Sequence, residues 1–285
     1  MKKTRNILFI IIAIAMIFTL AGCGENEENV SKNKDKNNIE NEVNEESLNG
    51  ENPIATMVVE YINADGNKEE GTIKMELYPD KAPITVANFV NLVKNEFYNG
   101  LTFHRIIQNF MIQGGDPLGN GKGGASLSDL DKSITKGSEN DYKYSIKGEF
   151  SQNNVKNSIK FEAGTIAMAR SDYSSLGLKE EGNNSGCSQF FIMNTDDSKT
   201  NAYLEGNYAA FGKVIEGYDV VEKISKTKVT SNGSETSKPV TAPIIKSLTV
   251  DTKGKEYKVP ETINAEEVAN KVQKQYEELM KKYGY

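Results

Sequence analysis

The chain has 285 residues, enough for one large domain or two small ones, and its 37% apolar and 26% charged residues suit a soluble globular core with polar appendages. Its 34 Lys and Arg stand against 40 Asp and Glu, a net charge of −6, which argues against a nucleic-acid partner because binding to phosphates draws on Lys and Arg. Two cysteines, Cys23 and Cys187, and one histidine, His104, exclude a disulfide-rich scaffold and a zinc site of four cysteines or of two Cys and two His.

Lys2, Lys3 and Arg5 precede Ile7–Leu20, an almost wholly apolar run of 14 residues. A membrane span needs about 20 residues, so residues 1–22 read as a secretory signal. The run ends in Leu20-Ala21-Gly22-Cys23, which resembles the lipobox of bacterial lipoproteins. The resemblance implies that Cys23 carries lipid and becomes the first mature residue. An uncleaved N-terminal anchor is the alternative, and both readings put the body at the outer face of a bacterial cell membrane. Cleavage leaves 31 basic against 40 acidic residues, a net charge of −9. Cys187 then has no partner cysteine, and it reads as a small buried apolar side chain.

Residues 23–52 form a spacer. Gly24–Asn52 holds nine Asn and nine Asp or Glu in 29 residues. It has too little apolar surface to offset the entropy of ordering. The body, residues 53–251, opens with the strand formers Met57–Ile62. The turn signal Asn63-Ala64-Asp65-Gly66 follows, then the alternating strand Thr72–Tyr78. Pro83 suits a helix start, and Val86, Phe89, Val90 and Val93 share one helical face. Strand-like runs follow at Thr102–Ile107, Phe110–Gln113, Gly164–Ala169, Gln189–Met193, Ala209–Val214 and Ile244–Val250, with a second helix over Tyr218–Ile224. Many strands with two helices predict a mainly β fold, a closed or nearly closed antiparallel barrel. Ala125–Tyr142 and Ser171–Ser185 read as long surface loops. In the extension 252–285, Asn264 and Glu267 look like an N-cap pair, and Val268, Val272, Tyr276 and Leu279 form a stripe. That stripe predicts a helix docked on the body, with a partner-binding helix as the alternative.

The segment Phe103–Asp116 carries the most chemistry. Arg105 sits among apolar residues, with Gln113 eight positions on. In a strand–turn–strand, Arg105, Phe110, Met111 and Gln113 could converge on one surface. Taken alone, the segment reads equally well as a core hairpin with one exposed Arg. Gly114–Gly124 lacks the Gly-Lys-Ser/Thr ending of a phosphate loop and reads as a turn-rich loop.

The same segment resembles the signature of the cyclophilins, which are peptidyl-prolyl cis-trans isomerases. Gly164–Ala169 with Ser188–Ile192 agrees, as does Tyr203-Leu204-Glu205-Gly206 with Ala210–Val214. The resemblance covers roughly Ala55–Asp251. It implies a closed eight-stranded antiparallel barrel capped by two helices, to which the C-terminal helix would be added. It also implies that Arg105, Phe110 and Gln113 are catalytic. Phe110, Met111, Phe191 and Leu204 would line the proline pocket, with Ala169, Arg170, Gln189, Tyr203 and Tyr208 also in contact with substrate. Arg170 stands where the family commonly has Asn, Tyr203 where many members have Trp, and Tyr208 where many have His. Tyr203 predicts weak binding of the inhibitor ciclosporin.

The implied partners are proline-containing polypeptides, and the implied client reaction is X-Pro isomerisation during folding of secreted or surface proteins. A monomer is expected. The reaction breaks no bond, so it needs no nucleophile, metal or cofactor, and His104 reads as structural. A non-catalytic module that binds proline-containing segments is the alternative function.

Overall fold

The computed structural model describes residues 52–233 and 235–283. The signal segment 1–22, Cys23 and the spacer up to residue 51 lie outside the described residues. Asn52, at the spacer's end, donates from Nδ2 to Glu76 Oε1 at 3.1 Å.

Strand β1 (Ile54–Ile62) alternates strictly, burying Ala55, Met57, Val59 and Tyr61, and it pairs with β2 (Lys68–Leu77) across the Asn63–Gly66 turn. Asn63 closes that turn by accepting from the N–H groups of Asp65 and Asn67 through Oδ1. Helix α1 (Pro83–Lys94) begins at proline and buries Val86, Phe89, Val90 and Val93 as one face. Next come β3 (Arg105–Ile107), β4 (Met111–Gly114), the short helix α2 (Leu127–Leu130), β5 (Tyr144–Ser145) and β6 (Thr165–Met168). The chain continues through α3 (Lys179–Asn183), β7 (Phe190–Met193), α4 (Ser198–Leu204), β8 (Ala210–Glu216) and α5 (Tyr218–Ser225). It ends in β9 (Val229–Asn232), β10 (Glu235–Pro239), β11 (Ile244–Asp251), β12 (Ile263–Asn264) and α6 (Ala265–Lys282).

Eight strands form one antiparallel sheet in the order β11-β1-β2-β8-β6-β7-β4-β3. The sheet is an open half-barrel, which corrects the closed barrel expected from the sequence. The reason is local. β3 is three residues long, and the approach to β11 shrinks to the single bridge Thr102–Ile244 with a few loop hydrogen bonds around Gly100–Phe103. β3 and β11 therefore remain as edges, and β10 packs against β3.

The concave face holds the main core. Phe89 of α1 meets Tyr98, Phe190 and Phe211 at ring separations of 5.2–5.6 Å, and Met57, Ile73, Met75, Ile112, Ile166 and Ile192 are fully buried around them. Helix α5 adds Val220, Val221 and Ile224. The two expected long loops carry structure of their own: α2 lies in the first, and a 3-10 turn over Ser174–Leu176 with α3 lies in the second. The C-terminal extension lies on the body. β12 pairs with β5, and Lys271 of α6 reaches Glu181 of α3 at 2.8 Å.

Candidate active site

Two-residue alternation sorts the central strands into two faces. Ile106, Ile112, Phe190, Ile192, Ile166 and Met168 point into the main core. Their neighbours point the other way, and the register aligns them: Arg105 lies opposite Gln113, Gln113 opposite Phe191, and Phe191 opposite Ala167. The outer face thus carries a second apolar cluster of Met111, Phe161, Ala167, Phe191, Met193, Leu204, Tyr208 and Ala210, with Phe110 and Ala169 packed against it. This is why β6 and β7 are buried on both sides.

Each polar side chain is positioned by a neighbour. The β3–β4 turn closes when Phe110 N–H donates to the Ile107 carbonyl at 3.1 Å. Asn109 takes a φ of +59° there, which Asn tolerates better than most side chains. The turn sets Phe110 beside the cluster. Arg105 Nη1 donates to Gln113 Oε1 at 3.2 Å and lies 3.7 Å from Met111 Sδ. Gln113 Nε2 donates to Gln189 Oε1 at 2.9 Å, and Gln189 Nε2 donates to the Gly123 carbonyl at 2.8 Å.

The glycine-rich loop behind them is organised by buried Asp116, whose carboxylate accepts from the N–H groups of Leu118, Asn120 and Gly121. Gly115 opens that loop at φ +84°, where a Cβ would fall 2.4 Å from the Ser188 carbonyl oxygen, so only glycine lets β4 turn there.

Arg105, Phe110, Met111, Gln113, Ala169, Gln189, Phe191, Leu204 and Tyr208 therefore share one surface. Tyr208 stacks edge-on against Phe191 at 5.7 Å, and burial raises its pKa, so it stays protonated. Arg170 and Tyr203 lie differently. The Arg170 guanidinium sits over the rings of Tyr208 at 4.9 Å and Phe150 at 5.4 Å, with Nε donating to the Asn207 carbonyl at 2.7 Å. It touches the surface through Tyr208. Tyr203 is 48% exposed on α4, one residue before Leu204. A cavity of about 160 Å³ adjoins the cluster, lined by Phe161 and Tyr208 with Phe150, Ile159 and Glu205.

Sequence reasoning missed Phe161, which stacks on Phe191 at 6.4 Å, and Glu235, which grips Arg105. No local pattern marks Phe161. For Glu235 a signal existed: Gly233-Ser234 is a hairpin-type dipeptide in the sequence, and β9 pairs with β10 so that Asn232 lies opposite Glu235. Among the described residues, no cluster of His, Cys, Asp and Glu could hold a metal ion.

The family model "Cyclophilin type peptidyl-prolyl cis-trans isomerase/CLD" matches residues 58–250. The chain belongs to the cyclophilin-type peptidyl-prolyl cis-trans isomerases. It is 38% identical over 170 residues to a peptidyl-prolyl cis-trans isomerase of Acinetobacter baylyi, covering 59% of this chain and 74% of that protein. It is 33% identical over 180 residues to peptidyl-prolyl cis-trans isomerase-like 3 of Gallus gallus, covering 63% and 90%. A crystal structure of a Cryptosporidium parvum cyclophilin type peptidyl-prolyl cis-trans isomerase, determined in the presence of the dipeptide Ala-Pro, aligns over 68% of this chain and 98% of its own, with 27% identity and a TM-score of 0.45.

Proposed function

We propose that this isomerase works as a lipoprotein anchored through Cys23 at the outer face of a bacterial membrane, where it speeds folding of secreted or surface polypeptides, and that Arg105, Phe110 and Gln113 carry its catalysis. The anchor rests on the apolar run and Leu20-Ala21-Gly22-Cys23. The catalytic assignment rests on one observation: Arg105 Nη1 lies over Gln113 and Met111 on the same face as the buried Phe191 and Leu204.

Resonance in the peptide bond sets a barrier of about 18–20 kcal/mol to rotation. For X-Pro the isomers differ by only about 0.5–1 kcal/mol, so both are populated and exchange slowly. Lowering the barrier requires a site that favours the twisted amide, whose nitrogen has regained its lone pair. Phe110, Met111, Phe191 and Leu204 seat the proline ring and exclude water. The Arg105 guanidinium donates to the amide as its electron distribution changes, in surroundings where a fixed donor counts for more than in water. Gln113 orients the neighbouring backbone. No proton is transferred, so the histidine next to Arg105 has no part in the reaction.

A prolyl-exchange assay on a proline tetrapeptide tests this. Arg105→Ala is expected to lower kcat/KM on the order of 100-fold, as removal of one preorganised donor does elsewhere. An unchanged rate would defeat the assignment. For the anchor, fatty-acid labelling in a bacterial host is expected at Cys23 and lost in Cys23→Ser. A label that persists in the variant would refute it.

A further inference from the structure

The hairpin β9–β10 reaches the site from outside the barrel sheet. Along β10, Ser237 and Pro239 are buried, so the period of two turns Glu235 inward as well, towards β3. There the Glu235 carboxylate takes both hydrogens of one edge of the Arg105 fork. Nε donates to Oε2 at 2.7 Å and Nη2 to Oε1 at 2.6 Å. Both side chains are about one-third exposed, at 29% and 32%. Burial works upward on the Glu235 carboxyl, yet hydrogen bonds and the charge of Arg105 outweigh it and hold the group below the usual carboxylate range.

The consequence is geometric. A guanidinium is planar, and its edges cannot be turned separately. With the Nε–Nη2 edge held by two charge-assisted bonds, Nη1 faces Gln113 and Met111. Without the carboxylate, a long side chain on the three-residue edge strand β3 would be free to swing into solvent, and each turnover would have to gather it again. That ordering costs rotamer entropy, which is large for an arginine.

We propose that Glu235 is a positioning residue for the isomerase reaction: it clamps the outer edge of Arg105 so that Nη1 stays aimed over the proline-binding surface. The proposal rests on Arg105 acting in catalysis. It assigns a role to the β9–β10 hairpin, which carries the clamp on a segment remote in sequence from β3.

The experiment compares full-length wild type with Glu235→Ala, Glu235→Gln and Arg105→Ala in the prolyl-exchange assay, with thermal melting to verify folding. Glu235→Ala should lower kcat about tenfold, equal to about 1.4 kcal/mol, with KM nearly unchanged, because the lost interaction serves the transition state. Glu235→Gln keeps one acceptor and should fall between Glu235→Ala and wild type. In NMR spectra the Arg105 Nε–H signal, assigned through its loss in Arg105→Ala, should be sharp in wild type and lost by solvent exchange in Glu235→Ala. If Glu235→Ala turns over as fast as wild type or faster while Arg105→Ala is impaired, the clamp is wrong and Arg105 stands. If Arg105→Ala is itself unimpaired, the catalytic reading fails first. Should Glu235→Ala not fold, Glu235→Gln at the wild-type rate, with its Arg105 signal unprotected, would overturn the proposal.

Discussion

His104 sits next to Arg105 in the chain, but its ring is buried and neither nitrogen meets a hydrogen-bond partner. Burial lowers its pKa, the Asp116 carboxylate opposes this, and the Arg105 charge adds to it, so the folded protein holds the ring neutral. The sign of the linkage follows. As pH falls through about 6.5, the unfolded chain binds a proton that the native state refuses, so stability drops by up to about 1.4 kcal/mol per pH unit until the lower native pKa is reached. Urea unfolding of wild type and His104→Leu between pH 7 and pH 5 measures this, and the variant is expected to lack that part of the loss. Equal slopes would mean the ring is charged or paired in the native state. Cys187, expected to be buried, is half-buried against the core, and desolvation of its thiol pushes the pKa up to about 11, so little thiolate exists at neutral pH.

At the scale of elements, α1 shows how a helix is completed from far away. Its N-cap, Ala82, has no side chain to offer. Glu149 instead accepts from the N–H of Ile84 at 2.9 Å and from the N–H and hydroxyl of Thr85 at 2.7 Å. A buried carboxylate at a helix N-terminus satisfies the open donors and complements the dipole. Glu149→Gln would replace one acceptor with an NH2 that confronts an N–H. It is expected to destabilise the fold by about 1–3 kcal/mol, read as a shifted denaturation midpoint with unchanged m-value. A midpoint equal to wild type would show that water satisfies this terminus. The same logic governs the β3–β4 hairpin. β3 and β4 supply the register of Arg105 and Gln113, while β10, from another part of the chain, holds Arg105 in place.

At the scale of the molecule, the half-barrel separates a sealed core from an outer cluster, and the extension is attached behind both. It is held by the β12–β5 pairing, by Asn91 Nδ2 donating to the Tyr257 carbonyl at 3.0 Å, and by the half-buried stripe of α6. None of these groups belongs to the site. Truncation after Asp251 is therefore expected to leave a folded, active body with a melting temperature lowered by several degrees, since a loss of about 1 kcal/mol shifts a domain of this size by roughly 2–4 °C. Loop Ser171–Ser185, which loses the Lys271–Glu181 contact, should be cleaved faster in limited proteolysis. Loss of activity on truncation would mean the extension shapes the site.

The eight strands of the main sheet and the helices α1, α5 and α6 were legible because alternation and the i, i+3, i+4 pattern are local, whereas the short strands β5, β9, β10 and β12 were not. Arg105, Phe110 and Gln113 were legible as a group because they share one hairpin, and Phe191 and Leu204 because their motifs stand in order along the chain. Tertiary structure alone decided that the sheet stays open at a three-residue edge strand, that Arg170 turns to Tyr208 and Phe150, and that Glu235 closes on Arg105 across 130 residues. Contacts at that separation depend on how two distant segments are brought together. Periodicity, which reports only on a residue's immediate neighbours, carries no trace of them.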